Sequence, residues 1–66
     1  MKTTKQYTLK SVLEMKDLYY VERRLGGFGQ YYLNLYNERS WIIGSTKDYD
    51  EKRIDNFIKK YNLREF

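Results

Sequence analysis

The sequence predicts an α+β fold in which a three-stranded antiparallel β-meander packs on a C-terminal α-helix. Two β-prone runs, 19–24 and 30–36, flank a glycine-rich stretch at 26–29, and a gap of this length between such runs is typical of a hairpin. A third run, 41–43, follows a polar turn and completes the meander. Apolar residues at helical spacing after position 50 indicate the helix.

The 66 residues are predicted to form one small domain, with the meander over 18–45, the helix over 48–61, and residues 1–6 as a candidate disordered segment. Because the chain has no cysteine, neither a disulfide nor a zinc thiolate site can reinforce its core. Eight tyrosines, three phenylalanines and one tryptophan supply the large side chains that such a core needs. A homodimer would further stabilise so short a chain.

The segment before the meander supports two interpretations. Residues 8–16 form either a short helix that begins after Thr8 or Ser11, or an edge strand that runs through Tyr7 and Leu9. The spacing of the apolar residues leaves both open.

Side chains alternate between the two faces of a strand, so the predicted strands sort their residues into two sets. The set expected to face the helix is Val21, Leu33, Leu35, Trp41 and Ile43, with Tyr19, Arg23 and Tyr31 nearer its margins. The opposite, uncovered set is Tyr20, Glu22, Arg24, Gln30, Tyr32, Asn34, Tyr36, Ser40 and Ile42. This tyrosine-rich face is the strongest functional feature of the sequence.

The helix has its own start and end signals. Asp48 followed by Glu51 has the spacing of a capping box, and Lys59 and Lys60 place positive charge where the helix ends. The apolar stripe consists of Ile54, Phe57, Ile58 and Tyr61. These charges have a structural explanation, so we do not assign them to a binding patch.

Composition bears on origin and location. Abundant Lys, Tyr, Asn and Ile, with no Pro, His or Cys, is typical of an AT-rich genome and suggests a phage or mobile element. No apolar run follows the first residues, so we expect neither a signal peptide nor a membrane span. The predicted location is the cytoplasm of a bacterial or phage-infected host cell.

The chemical inventory predicts that the protein is not an enzyme. Without His or Cys, the usual nucleophile–base pairs and soft-metal sites are absent from the sequence. Asp48, Asp50, Glu51 and Asp55 lack the twelve-residue pattern of a calcium loop. The glycine-rich stretch lacks the Gly-Lys-Ser/Thr of a phosphate loop. We therefore expect no cofactor and no metal.

Three runs carry a family resemblance: 20–24 as a first strand, Gly29-Gln30-Tyr31 as a turn, and Trp41-Ile42-Ile43-Gly44 as the strand before the helix. Together they resemble the three-stranded DNA-binding domain of plant ethylene-response factors and the arm-binding domain of tyrosine recombinases, over residues 18–61. The resemblance implies a sheet that lies in the DNA major groove. The outward residues that it implies as contacts are Glu22, Arg24, Gln30, Asn34, Tyr36 and Ile42.

The first function hypothesis is a non-enzymatic DNA-binding module with a regulatory or accessory recombination role. The net charge of +4 permits attraction to phosphates, tyrosines can stack on bases, and Arg, Asn and Gln can read base edges. Lys5 and Lys10 are further candidate phosphate contacts. The predicted nucleic-acid contacts are Tyr20, Arg24, Gln30, Tyr32, Asn34, Tyr36, Arg39 and Lys47.

The second hypothesis is a protein–protein interaction factor of the phage type, which inhibits a host or defence enzyme. Its contact residues would be Phe28, on the loop between the first two strands, together with Tyr20, Tyr32 and Tyr36. Phe28 either folds back onto the sheet or anchors the partner. The same tyrosines could also serve only as cross-strand pairs that stabilise a solvent-facing sheet.

Overall fold

Four strands and two helices make up the computed structural model, which describes residues 5–66. In chain order these are β1 (Gln6–Tyr7), α1 (Leu9–Val12), β2 (Tyr20–Leu25), β3 (Tyr31–Tyr36), β4 (Ile42–Thr46) and α2 (Glu51–Tyr61). The strands form one sheet in the order β1-β4-β3-β2. The α+β class is confirmed, but the sheet is mixed and four-stranded, so the predicted three-stranded antiparallel sheet is wrong in detail.

The hairpin of β2 and β3 is antiparallel and regular, with Tyr20 opposite Tyr36 at one end and Leu25 opposite Tyr31 at the other. A single 3₁₀ turn, Gly27–Gly29, joins the two strands. Gly26 N–H donates to the carbonyl oxygen of Gln30 at 2.6 Å and closes this turn. Position 29 favours glycine because its backbone φ of 74° is strained for residues with a Cβ atom.

Between β3 and β4 the chain makes a tight polar turn. The side-chain oxygen of Asn37 accepts hydrogen bonds from the backbone N–H groups of Arg39 and Trp41, and Ser40 adopts a φ of 65°. This turn holds Trp41 outside β4, with 64% of its surface exposed. The expectation that Trp41 faces the helix is therefore wrong, and Ser40 lies in the turn and not on a strand.

The fourth strand, β1, pairs in parallel with β4, with Gln6 opposite Ser45 and Tyr7 opposite Thr46. Thr8 then caps α1 by accepting a hydrogen bond from Ser11 N–H. Both interpretations of the N-terminal segment thus hold in part: Tyr7 lies in an edge strand, and a helix begins directly after Thr8. Of the candidate disordered segment 1–6, residues 1–4 lie outside the described part, and Gln6 is in β1.

Helix α2 begins at Glu51, three residues after the predicted start at residue 48. Tyr49 still pairs with Tyr31 in an antiparallel bridge, so the backbone remains extended there. Asp50 is the N-cap, and its carboxylate accepts a hydrogen bond from Arg53 N–H at 2.7 Å. The predicted capping box of Asp48 and Glu51 is wrong, because residue 48 lies before the point at which the chain turns.

One face of the sheet carries the core. Its buried residues come from α1, β2, β3 and α2, and they are Val12, Val21, Leu33, Leu35, Ile54, Phe57 and Ile58. The predicted helix stripe is confirmed except for Tyr61, which is 43% exposed. Among residues 5–66, no helix is long and apolar enough to cross a membrane.

Candidate interaction face

The side of the sheet opposite the helices is named here the open face. Side chains alternate along β2 and β3, so the residues next to each buried core residue point to the open face. Both helices pack against the core and therefore lie on the other side of the sheet. The open face includes Tyr20, Glu22, Arg24, Tyr32, Asn34, Tyr36 and Ile42. These seven agree with the alternation read from the sequence, whereas Gln30 and Ser40, which were expected on the same face, lie outside the strands.

Glu22 is the polar centre of the open face. Its carboxylate accepts a hydrogen bond from the hydroxyl of Tyr36 at 2.9 Å and one from the side-chain amide of Asn34 at 3.3 Å. Arg24, two residues along the same strand, donates to it from Nη1 at 3.4 Å. Three of the predicted nucleic-acid contacts are therefore bonded to one carboxylate.

These hydrogen bonds determine the charge at the centre of the face. The bond from Tyr36, followed by the bond from Asn34, lowers the pKa of Glu22, so the carboxylate is ionised at neutral pH. Burial, followed by the bond to Glu22, raises the pKa of Tyr36, so its hydroxyl keeps its proton. Glu22 thus presents a negative charge that Arg24 partly balances.

Aromatic rings form the second part of the face. Tyr20 and Tyr36 stand opposite each other across β2 and β3, with ring centroids 4.9 Å apart and an interplanar angle of 11°. Phe66 lies against Tyr20 at 5.5 Å. Tyr32, half-buried, borders a shallow depression of about 290 Å³ that Asn34 also lines. Tyr20, Tyr36 and Phe66 thus form an aromatic cluster on one side of the polar centre, and Tyr32 lies on its other side, toward the hairpin end.

The other predicted contacts lie away from this centre. Gln30 precedes β3 and Lys47 follows β4, so both lie at the hairpin end of the sheet, and both are exposed. Arg39 lies at the opposite end, in the turn after β3, with its guanidinium carbon 5.9 Å from the ring centroid of Trp41. Lys10 is on α1, on the covered side. The structure thus brings together only part of the predicted set.

Phe28 is fully exposed at the tip of the hairpin and adopts a left-handed conformation with φ 55° and ψ 32°. Such a conformation is uncommon for a bulky residue. Its side chain does not fold back onto the sheet, which excludes one of the two roles considered for it. Leu25, at the end of β2, is also exposed and adds an apolar side chain near the hairpin end.

Sequence reasoning missed Phe66, and it treated Glu22 only as one outward contact. Residues 63–66, Leu-Arg-Glu-Phe, do not alternate apolar and charged side chains, so the sequence contains no strand signal at this position. The tandem of Glu22 and Arg24 was visible, since residues two apart on a strand share a face. Their common partners on β3 depend on register.

The described residues offer no group of three or more His, Cys, Asp or Glu side chains that could hold a metal ion. The open face has donors, acceptors and aromatic rings, and it can make hydrogen bonds and apolar contacts to a macromolecule. Comparisons of the chain with protein-family models, with curated proteins and with solved structures found no match.

Proposed function

We propose that this chain is a non-enzymatic protein-binding module whose contact surface is the open face. The observation that carries the proposal is the bonding of Glu22 to Arg24, Asn34 and Tyr36, beside the stacked pair of Tyr20 and Tyr36. Tyrosine and arginine are enriched in protein interfaces, while unpaired charge is depleted at their centres. A face with these properties suits a protein partner.

Electrostatics favours a protein over DNA as the occupant of this face. A duplex would bring phosphates and base-edge acceptors toward an ionised carboxylate at the centre of the sheet. Arg24 would have to leave Glu22 before it could reach a base. The composition-based proposal of a phage or mobile-element origin makes bacterial host proteins the first place to search for the partner, and inhibition of a host or defence enzyme the first effect to test.

DNA binding remains the second candidate, because cations flank the open face at both ends. Arg39 lies over Trp41 at one end, and Lys47 is exposed at the other. A cleft of about 420 Å³ near Trp41 is lined also by Lys16 and Tyr19, and cations beside aromatic rings are what single strands use for binding. This candidate requires binding that weakens steeply with salt.

Site-specific photocrosslinking tests the first proposal. A benzophenone amino acid replaces Tyr32, on the open face, or Lys52, an exposed residue of α2, and each variant is irradiated in bacterial lysate. We expect a discrete crosslinked protein from position 32 and none from position 52. The same crosslink should persist at high salt, since an aromatic interface depends little on ionic strength.

Equal crosslinking from both positions, or none from position 32, would contradict the proposal. Fluorescence anisotropy with labelled duplex and single-stranded DNA at low and high salt tests the second candidate on the same preparation. Binding that is lost at high salt, and lost also in a chain carrying Arg39→Ala and Lys47→Ala, would favour DNA. Light scattering determines beforehand whether the chain is a homodimer.

A further inference from the structure

The outer edge of β2 is partly occupied by the chain itself. Val21 N–H donates to the carbonyl oxygen of Arg64 at 2.9 Å, and Phe66 N–H donates to the carbonyl oxygen of Val21 at 2.8 Å. These two bonds form a parallel bridge between Val21 and Glu65. Residues 64–66 therefore lie beside β2 as a short added strand.

The rest of this edge is open. In an antiparallel hairpin every second residue directs its N–H and C=O away from the partner strand, so Arg23 and Leu25 share the outward direction of Val21. Within residues 5–66, no hydrogen bond from outside the β2–β3 ladder reaches the backbone of either residue. An edge with free backbone groups is a template for an additional strand.

Side chains at this edge add specificity. Arg23 donates from Nε and Nη2 to the two carboxylate oxygens of Glu65, at 3.0 and 3.3 Å, while its Nη1 contacts Asp55 of α2. Burial opposes the charge, but the bonds to Glu65 and Asp55 outweigh it and raise the pKa of Arg23. Asp55 thus orients a guanidinium fork that is suited to a carboxylate on the added strand.

Residues 64–66 are held by contacts at the surface. Phe66 is 84% exposed, and Arg64 and Glu65 are exposed as well. Besides the two backbone hydrogen bonds and the ion pair of Glu65, Arg64 donates to the hydroxyl of Tyr19 at 2.7 Å and Phe66 contacts the ring of Tyr20. Exposed contacts of this kind each contribute little free energy, so the segment can open locally while the core stays closed. A competing strand can therefore take its place without unfolding the sheet.

We propose that the outer edge of β2 is a strand-addition site for an extended peptide segment of another protein. The segment carries a carboxylate where Glu65 now lies, bonded to Arg23, and an aromatic residue where Phe66 now contacts Tyr20. Residues 64–66 occupy the site in its absence. The site lies at the sheet edge and shares only Tyr20 with the open face, so it can be filled whether or not the rest of the open face binds a partner.

Peptide titration followed by amide NMR tests this proposal. The probe is the blocked pentapeptide Asn-Leu-Arg-Glu-Phe, added to the 66-residue chain or to a chain that ends at Leu63. In the shorter chain we expect the amide signals of Val21, Arg23 and Leu25 to shift. The longer chain should bind the probe about tenfold more weakly, because its own segment competes at an effective concentration on the order of millimolar.

A second variant covers the case in which the shorter chain does not fold. Glu65→Lys in the 66-residue chain removes the pair with Arg23 and should expose the edge, so that the probe binds more tightly and Phe66 N–H exchanges faster. Glu38→Lys, in the exposed turn after β3, makes the same charge change and should leave both properties unaltered.

Three results would overturn the proposal. The first is an absence of shifts at Arg23 and Leu25 in both the shortened chain and the Glu65→Lys chain. The second is equal affinity for the probe and for a probe with Lys in place of its Glu. The third is that the 66-residue chain forms a dimer that dissociates when residues 64–66 are removed. Such a dimer would show that a second copy of the chain, and not another protein, occupies the edge.

Discussion

Two adjacent residues of β2 show how differently the two faces of the sheet are built. Arg23 points to the covered face, where it joins Asp55 of α2 to Glu65. Glu22 points to the open face and gathers Arg24, Asn34 and Tyr36, which lie on β2 and β3 themselves. On the covered face a charge connects separate elements around an apolar core. On the open face it orders a surface that neither helix covers.

The same strands thus carry the core on one face and a polar, aromatic surface on the other. Val21, Leu33 and Leu35 have no exposed surface, and burial of such side chains is the main favourable contribution to folding. Side chains of the open face gain little from burial, so they can vary without loss of the fold. Their bonds to one another order the surface, which is the property that the proposed contact role requires.

The largest expected effect on stability comes from alanine substitution in β3, where Leu33 and Tyr32 are neighbours that face opposite sides of the sheet. Leu33→Ala leaves a cavity in the core and should lower the free energy of unfolding by about 2–5 kcal/mol. Tyr32→Ala, on the open face, should lower it by about 1 kcal/mol or less. Urea denaturation of both variants measures the difference. Similar losses would show that the open face is as important for stability as the core.

A smaller effect is expected at Gly44, where the covered face leaves no space. A Cβ atom there would lie 2.8 Å or less from two ring atoms of Tyr7 and 3.2 Å from the carbonyl oxygen of Lys5. Gly44→Ala should therefore cost about 1–3 kcal/mol. Gly27→Ala is the matched control, because nothing lies within 4 Å of its Cβ position, and it should change stability by about 0.5 kcal/mol at most.

Thermal or urea unfolding of the two glycine variants distinguishes a packing effect from a general effect of alanine. If both variants lose the same stability, then the contact between Tyr7 and Gly44 is not what holds β1 in place. Loss confined to Gly44→Ala would sharpen the contrast, since it would place the constraint on the covered side alone.

The smallest effect is a pH dependence that belongs to the open face. The pKa of Glu22 is lowered from 4.5, chiefly by the bond from Tyr36, so its bonds stabilise the ionised form. Their contribution is complete above pH 4.5 and is lost as the pH falls through the lowered pKa. Urea midpoints measured over this range should fall less in Glu22→Gln than in the parent chain.

Glu38→Gln, in the exposed turn, is the control and should follow the parent chain. An identical acid response of Glu22→Gln and the parent chain would mean that the hydrogen bonds of Glu22 do not persist in solution. The open face would then be less ordered in solution than the hydrogen bonds of Glu22 indicate.

Much of the fold could be predicted because its signals are local. Alternation along β2 and β3 determined the two faces, and the spacing of Ile54, Phe57 and Ile58 located the helix. The parallel pairing of β1 with β4 could not be predicted, because two residues carry no periodicity and their partners lie far along the chain.

The face on which the candidate residues lie could be predicted, but the hydrogen bonds between them could not. Tyr20, Arg24, Tyr32, Asn34 and Tyr36 share a face, as alternation requires. That Glu22 binds three side chains follows from register and side-chain geometry, which composition does not contain. Trp41 was misplaced because the turn set by Asn37 includes it, so that β4 begins only at the next residue, and hydrophobicity alone does not reveal such a turn.

The fit of Tyr7 over Gly44 also bears on the entropy of the chain. Pairing β1 with β4 closes a loop that contains α1, β2 and β3, and the cost of closing a loop rises with its length. A two-residue strand has few bonds with which to offset that cost, so side-chain packing must add to them, through the ring of Tyr7 on Gly44 and through Val12 of α1 in the core. The smallest residue of β4 thus helps to tie the beginning of the described chain to its middle.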